Sequence, residues 1–385
     1  MNIAIVDDNP INLIVIEKIL MSAGYDSFWK FASAGDLLDR LQEHAETGSI
    51  PVDLILMDMM MPELDGIEAC RRIQQNERLK DIPVIIVTAV GDSIKLAEAL
   101  EAGASDYVMK PINKVELIAR IRAALRLKYE KDWHKEYETR LRGELELAKQ
   151  VQSSVLSPPL HREQLDIRAA YYPSSELAGD LYAWYRIDDD RYGVILLDMM
   201  GHGISSSLVC MFISSVMQDT IIRFVSPEFV IAELNRYMNQ LNRKKPSVNY
   251  YFTAIYLLID TKHKKVEYVN AGHPPGLLFE EGQSPILLNQ GSCAVGFFDQ
   301  MDIVSSSFTY ERPIRIALYT DGLLESIPLP DNHPDEVPEY DVLAGRLCDS
   351  ISQEQDPGVL VDKLLPAQAW EEQSDDICMV LIRAT

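Results

Sequence analysis

Over the first third of the chain, short runs of continuously apolar residues alternate with segments of helical period. IAIVD (3–7), DLILMD (53–58), PVIIVTA (83–89) and SDYVMK (105–110) read as strands. INLIVIEKILMSAGY (11–25) reads as a helix closed by Gly24, and IEACRRIQQ (67–75) and IKLAEALEAG (94–103) share its period. Strands that are apolar along their length and separated by helices predict a parallel sheet covered on both faces. This is an α/β domain over residues 1–125.

Residues 126–156 differ. They hold no Pro, a single Gly (Gly143) and dense mixed charge. From Tyr129 through Trp133, Tyr137 and Leu141 to Gln152 and Val155, large residues recur at spacings of four and three, one face of a long helix. Ser157-Pro158-Pro159 stops it. A helical, coiled-coil-like linker over 126–157 is expected, packing on a second copy in a homodimer or on a domain of its own chain.

Residues 158–385 are richer in strands. LDIRAAYYP, YGVILLDMM, YFTAIYLLID, KVEYVNAG, GLLFE, IRIALYT and ICMVLIR are β-like. Residues 205–225 and 227–242 are helical in pattern, as are stretches near 341–351 and 357–370. Strands flanked by paired helices predict an α+β sandwich. The acidic, Pro-rich 328–340 reads as a surface loop.

Composition narrows the function classes. The 385 residues suggest two or three domains, and 47% apolar with 25% charged residues excludes wholesale disorder. The formal charge of −23, with no dense Lys/Arg block and no helix-turn-helix candidate, argues against a nucleic-acid partner. The plain reading of the acidity is a solvated surface; the other is that some carboxylates cluster to hold cations. Cys70, Cys210, Cys293, Cys348 and Cys378 are scattered and form no CxxC pair, which fits free thiols in a reducing compartment and no zinc site. MNIAIVDDN lacks the pattern of a signal peptide, and no apolar run approaches the ~20 residues of a membrane span. The expectation is a soluble cytoplasmic protein with no membrane contact.

In an open parallel sheet, ligands bind beyond the carboxyl ends of the strands. There the sequence places Asp7, Asp8, Asp58, Thr88 and Lys110. Three converging carboxylates repel one another unless a cation sits among them, and oxygen ligands favour Mg²⁺. Lys110 can pair with an anion and Thr88 can bond a phosphoryl oxygen, which suggests phosphoryl transfer to a carboxylate. Asp7-Asp8, the run from Asp58 through Pro62 to Gly66, Thr88-Ala89 and Lys110-Pro111 resemble the receiver domain of two-component response regulators. The resemblance implies a doubly wound, five-stranded, flavodoxin-like sheet with Asp58 as phosphoacceptor. It implies Mg²⁺ on Asp8, Asp58 and the Met60 carbonyl with Asp7 assisting, Thr88 and Lys110 on the phosphoryl group, and Tyr107 as the switch aromatic.

A second set of acids sits in short motifs beside strands: Ala178-Gly179-Asp180, Asp198-Met199-Met200-Gly201-His202-Gly203, Asp321-Gly322 and Asp375-Asp376. Singly, each reads as a turn residue. Together, beside glycines and with few basic neighbours, they read as a carboxylate cage for two divalent metals. With the lead-in LELAKQVQSSVLSP and the segments NAGHPPGLL and YTDGLLES, they resemble the PPM-type metal-dependent Ser/Thr phosphatases, in the branch of bacterial stage II sporulation protein E. The resemblance implies a β-sandwich flanked by helices that binds two Mn²⁺ or Mg²⁺. It implies Asp198 bridging the metals, the Met199 carbonyl as ligand, Asp321 and Asp375 on the first metal, Asp180 on the second directly or through water, and Asp376 behind the ligands. Met199 departs from the Gly or Val more usual in the family. His202 reads as a structural turn residue rather than a general acid, and His273 as packing rather than groove-shaping. No phosphate-gripping Arg is identified.

The two halves together imply a response regulator that acts as a protein-serine/threonine phosphatase. A sensor histidine kinase would phosphorylate Asp58 and activate the output. The substrate would be a phosphorylated STAS-type anti-sigma-factor antagonist, and the result control of an alternative sigma factor. The other reading is a non-catalytic adaptor that binds a sigma factor or anti-sigma factor through a degenerate phosphatase-like domain.

Overall fold

The computed structural model describes residues 1–47, 51–89, 91, 93–201, 203–244, 249–280, 283–327, 339–351, 354–371 and 373–385. His202 and nearly all of the 328–340 segment lie outside them. The chain divides into two compact units, Met1–Leu141 and Arg142–Thr385.

The first unit runs β1 (Asn2–Val6), α1 (Pro10–Ser22), β2 (Ser27–Phe31), α2 (Ala34–Thr47), β3 (Leu54–Asp58), α3 (Gly66–Gln75), β4 (Val84–Thr88), α4 (Ser93–Glu101), β5 (Asp106–Met109) and the start of α5 (Lys114–Ser154). The strands are parallel in the order 2-1-3-4-5. Alternation of side chains divides the apolar residues between two faces. Ile3 and Ile5 pack with Leu20, Leu117 and Ile121 of α1 and α5, while Ala4 and Val6 pack with the core of α2, α3 and α4. The doubly wound, five-stranded fold is therefore as expected. β2, SFWKF, is an edge strand with no fully buried residue, so the continuous-apolar criterion does not reveal it.

Local chemistry sets the helix starts. Asn9 Oδ1 accepts from the Ile11 N–H ahead of Pro10, and Asp65 Oδ1 accepts from the Glu68 N–H. A Cβ on Gly66 would stand 2.1 Å from the Asp58 carbonyl oxygen, so only glycine lets α3 begin against the end of β3.

Helix α5 is one 41-residue element that begins at Lys114, well before residue 126. Its first turns are buried under the sheet through Leu117, Ile121 and Leu125. Farther along, Tyr129, Trp133 and Tyr137 are 68%, 52% and 52% exposed.

The second unit continues with β6 (Leu160–His161), β7 (Leu165–Tyr172), β8 (Leu181–Arg186), β9 (Arg191–Met199), α6 (Ile204–Phe224), α7 (Pro227–Lys244), β10 (Phe252–Asp260), β11 (Lys265–Ala271) and β12 (Gly276–Glu280). Then come β13 (Ile286–Leu288), β14 (Gly291–Ser292), β15 (Ser306–Thr309), β16 (Ile314–Tyr319), α8 (Asp321–Glu325), α9 (Glu339–Ser350), α10 (Pro357–Leu364), α11 (Ala367–Glu371) and β17 (Ile377–Ala384). One sheet has the order 14-11-10-9-8 with β15 added to β11; the other is 13-12-16-17-7-6. Leu196 and Ile255 meet Ile316, Leu318, Val380 and Ile382 between the sheets. Ile195 and Leu197 face outward to Ile213 and Leu234 of α6 and α7, while α8, α9 and α10 cover the other sheet. The sandwich flanked by helices matches expectation.

Two details differ. The helical stretch expected at 357–370 is broken into α10 and α11 by Pro366, which cannot donate to a continuing helix. Helix α6 is long and apolar enough to cross a membrane by length and composition, but Val209, Ile213 and Met217 bury its apolar face on the sheet. Ile382→Ala, at a fully buried inter-sheet position, should cost about 2–5 kcal/mol of stability, measured by denaturant unfolding. Leu147→Ala, at a position 63% exposed, should stay within about 0.5 kcal/mol.

Candidate functional site

In the first unit, Asp7 follows β1 and Asp58 ends β3, the neighbouring strands where the sheet order reverses. Oxygens of Asp7, Asp8 and Asp58 lie within 4.8 Å of one another. Asp7 and Asp58 are buried and Asp8 is exposed. Lys110 Nζ stands 2.9 Å from Asp7 Oδ2 and 2.9 Å from Asp58 Oδ2. Asp7 Oδ1 also accepts from the Asn9 N–H and from Asn12 Nδ2, each at 2.9 Å. Burial raises the pKa of Asp58, the Lys110 hydrogen bond opposes this, and repulsion from Asp7 adds to it. Burial is the largest single effect on Lys110 and lowers its pKa, but the bonds and attraction to both carboxylates together outweigh it and hold the pKa above its ordinary value. Thr88 is fully buried at the end of β4, and its hydroxyl lies 3.4 Å from Met59 Sδ. Tyr107 lies on β5 with the Arg120 guanidinium 5.6 Å from its ring centre. Met60 is 56% exposed beside Asp58.

In the second unit, both sheets deliver acids to one end of the sandwich. Asp180 precedes β8 and Asp198 lies near the end of β9; Asp321 follows β16, and Asp375 and Asp376 precede β17. Asp180 is 2% exposed and its Oδ2 has no hydrogen-bond partner. Burial pushes its pKa well up, reinforced by repulsion from Asp198 and Asp376. Burial raises Asp198 to about 8, with repulsion from Asp321 and Asp375 adding to it. This group is looser than the first. Among the described residues, the trio with oxygens inside 4.8 Å is that of the first unit.

Asp376 has a different task. Its Oδ1 accepts from the Ser174 N–H at 2.8 Å and from Ser174 Oγ at 3.0 Å; its Oδ2 accepts from the Gly179 N–H at 2.7 Å. It ties the loop carrying Asp180 to the start of β17. A Cβ on Gly322 would stand 2.2 Å from the Asp376 carbonyl oxygen, so the Asp321-Gly322 pair needs glycine to bring α8 this close. Met199 is buried beneath α6 and α7, so its larger side chain points away from the carboxylates.

Sequence reasoning placed Gln152 on the apolar face of the linker helix. It is 5% exposed, its Nε2 donates to the Ala178 carbonyl at 2.7 Å, and its Oε1 accepts from the Ala178 N–H at 3.1 Å. The end of α5 thus grips the backbone two residues before Asp180. The available signal was one amide on an otherwise apolar stripe.

A sequence model of the family described as Stage II sporulation protein E matches residues 188–385, and one of the response regulator receiver domain matches residues 3–122. The chain is 36% identical over 253 residues to the phosphoserine phosphatase RsbP of Bacillus subtilis, covering 64% of this chain and 59% of that protein. It is 36% identical over 124 residues to the DNA-binding dual master transcriptional regulator RpaA of Synechocystis, covering 32% of this chain and 48% of that one. These matches therefore span between about half and three fifths of the relatives' length. The SiaA-PP2C domain of Pseudomonas aeruginosa aligns with a TM-score of 0.51 at 17% identity, over 65% of this chain and 99% of that one, a likeness of fold.

The raised carboxyls make a signed prediction for metal-free protein. Between roughly pH 4 and 8, Asp198 holds its proton folded and loses it unfolded, so stability falls as pH rises, by about 1 kcal/mol per pH unit. Denaturant unfolding at pH 5 to 8 in chelator should show at least that slope, and Asp198→Asn should lessen it, leaving the part that the raised Asp180 contributes.

Proposed function

We propose that this chain, which belongs to the stage II sporulation protein E family and carries a response regulator receiver domain ahead of that match, is a metal-dependent phosphoprotein phosphatase controlled by phosphorylation of Asp58. One observation carries the enzymatic reading. Asp180 is buried and Asp198 half-buried, burial and neighbouring carboxylates raise both pKa values, and Asp180 keeps an unpartnered oxygen inside the protein. Such a donor set is all oxygen and fits Mn²⁺ or Mg²⁺.

In this reading Asp198, the Met199 carbonyl, Asp321, Asp375 and Asp180 would together hold two divalent cations. Asp376 holds the Asp180 loop in place through Gly179. Bound divalent ions would lower the pKa of water and offset phosphoryl charge at this end of the sandwich. The chain's own contribution is to fix carboxylates from two sheets at one place and to shield them, so that binding cations relieves repulsion already built in.

In the first unit, Asp58 is the phosphoacceptor. Asp7 and Asp8 would hold Mg²⁺ with Asp58 and the Met60 carbonyl, and Lys110 is placed to follow charge from the carboxylate to an attached phosphoryl group. Thr88 and Tyr107 would report that group's arrival, as the resemblance implies, and α5 would carry the response to Ala178 through Gln152. The exposed stripe of Tyr129, Trp133 and Tyr137 supports a homodimer through α5. The partners proposed are a sensor histidine kinase and a phosphorylated STAS-type anti-sigma-factor antagonist, in the cytoplasm, with release of an alternative sigma factor as the outcome. RsbP is named a phosphoserine phosphatase, which supports a phosphoserine substrate.

Purified protein with Mn²⁺ should hydrolyse p-nitrophenyl phosphate and a phosphorylated STAS protein, and Asp198→Ala should lower kcat/KM about a thousandfold. Beryllofluoride should raise the activity of wild type but not of Asp58→Asn. If wild type is as inactive as Asp198→Ala toward both substrates, the chain is an adaptor and the enzymatic reading fails.

A further inference from the structure

The turn Gly272-His273-Pro274-Pro275 carries the chain from β11 in one sheet to β12 in the other. It is pinned at both ends. Asn270 Oδ1 accepts from the His273 N–H at 2.8 Å, and Asn270 Nδ2 donates to the His273 carbonyl at 2.9 Å. The Tyr319 hydroxyl donates to the Pro275 carbonyl at 2.6 Å.

His273 is 5% exposed, yet its neighbours are polar. Its Nδ1 lies 2.8 Å from Thr253 Oγ1 on β10. Its Nε2 is buried without a hydrogen bond of good geometry, and the Tyr319 carbonyl on β16 is the polar group close enough to favour a proton on the ring. Burial lowers its pKa to about 3, so the ring is neutral and cannot serve as an imidazolium acid. A packing residue at such a place would ordinarily be apolar, since an unpaired buried nitrogen is costly.

Its position explains the polarity. Thr253 stands directly opposite Asp198 in the β9–β10 ladder, so their side chains share a face and their Cβ atoms are about 5 Å apart. Tyr319 comes two residues before Asp321. The imidazole therefore bonds the cross-strand neighbour of Asp198 on one side and faces the strand that delivers Asp321 on the other.

We infer that His273 is a positioning residue, a wedge that sets the spacing between the carboxylates of the two sheets by bearing on Thr253 of β10 within a turn that Tyr319 of β16 holds through Pro275. This rests on reading those carboxylates as a divalent-metal site.

Titration calorimetry of the full chain with Mn²⁺ tests it without recourse to catalysis. His273→Ala and the near-isosteric Thr253→Val should each weaken Mn²⁺ binding at the second unit about tenfold, with Asp58→Asn as the common background to remove the first unit's site. His273→Asn, which keeps a polar atom near the Nδ1 position, should recover part of the loss. Ile382→Ala, cutting the same inter-sheet core far from the acids, should leave affinity within about twofold. Thermal melting in chelator identifies variants that are folded before titration. Wild-type affinity in folded His273→Ala or Thr253→Val overturns the inference and leaves His273 a packing residue. If the background chain itself binds neither Mn²⁺ nor Mg²⁺, the metal reading falls, and this inference with it.

Discussion

Crowding of carboxylates away from water is the constraint on which this molecule is built. Each unit gathers acids at the end of a sheet, and each must then answer for their repulsion and lost hydration. The first unit answers from within. Lys110 reaches both Asp7 and Asp58, and the Asn9 and Asn12 donors take up the remaining oxygen of Asp7. The second unit answers differently. Asp376 is satisfied by backbone and hydroxyl donors, whereas Asp180 and Asp198 have their pKa values driven upward.

That contrast suits the proposed roles. A site that must switch between a free and a phosphorylated carboxylate benefits from a lysine that can follow the charge. A site that must hold cations throughout turnover benefits from acids that no lysine or arginine neutralises and from an oxygen, Asp180 Oδ2, left without a hydrogen bond. Close backbone approach serves both. Gly66 lets α3 start against Asp58, and Gly322 lets α8 start against Asp376.

Much of this was legible in the sequence because burial and chemistry coincide there. Strands β1, β3 and β4 carry continuous apolar runs, and the acid or threonine that ends or follows each is the residue found at the site. Legibility failed where position depends on a partner distant in sequence. β2 shows no continuous apolar run because it lies at a sheet edge. Asp375 and Asp376 are adjacent and chemically alike, and only the Ser174 and Gly179 donors show which of them holds the Asp180 loop. Gln152 looked like part of a packing stripe until Ala178 came into contact with it. His202 lies outside the described residues.

The unpaired oxygen of Asp180 has a consequence beyond turnover. A group that favours the folded chain only when a cation is bound makes metal a folding ligand, with a contribution that grows with the logarithm of free-metal concentration. In the proposed reading, a cell short of divalent metal would then carry less of this protein as well as a slower one. The opened form is the one that proteases take, so supply of the ion would set the protein's lifetime.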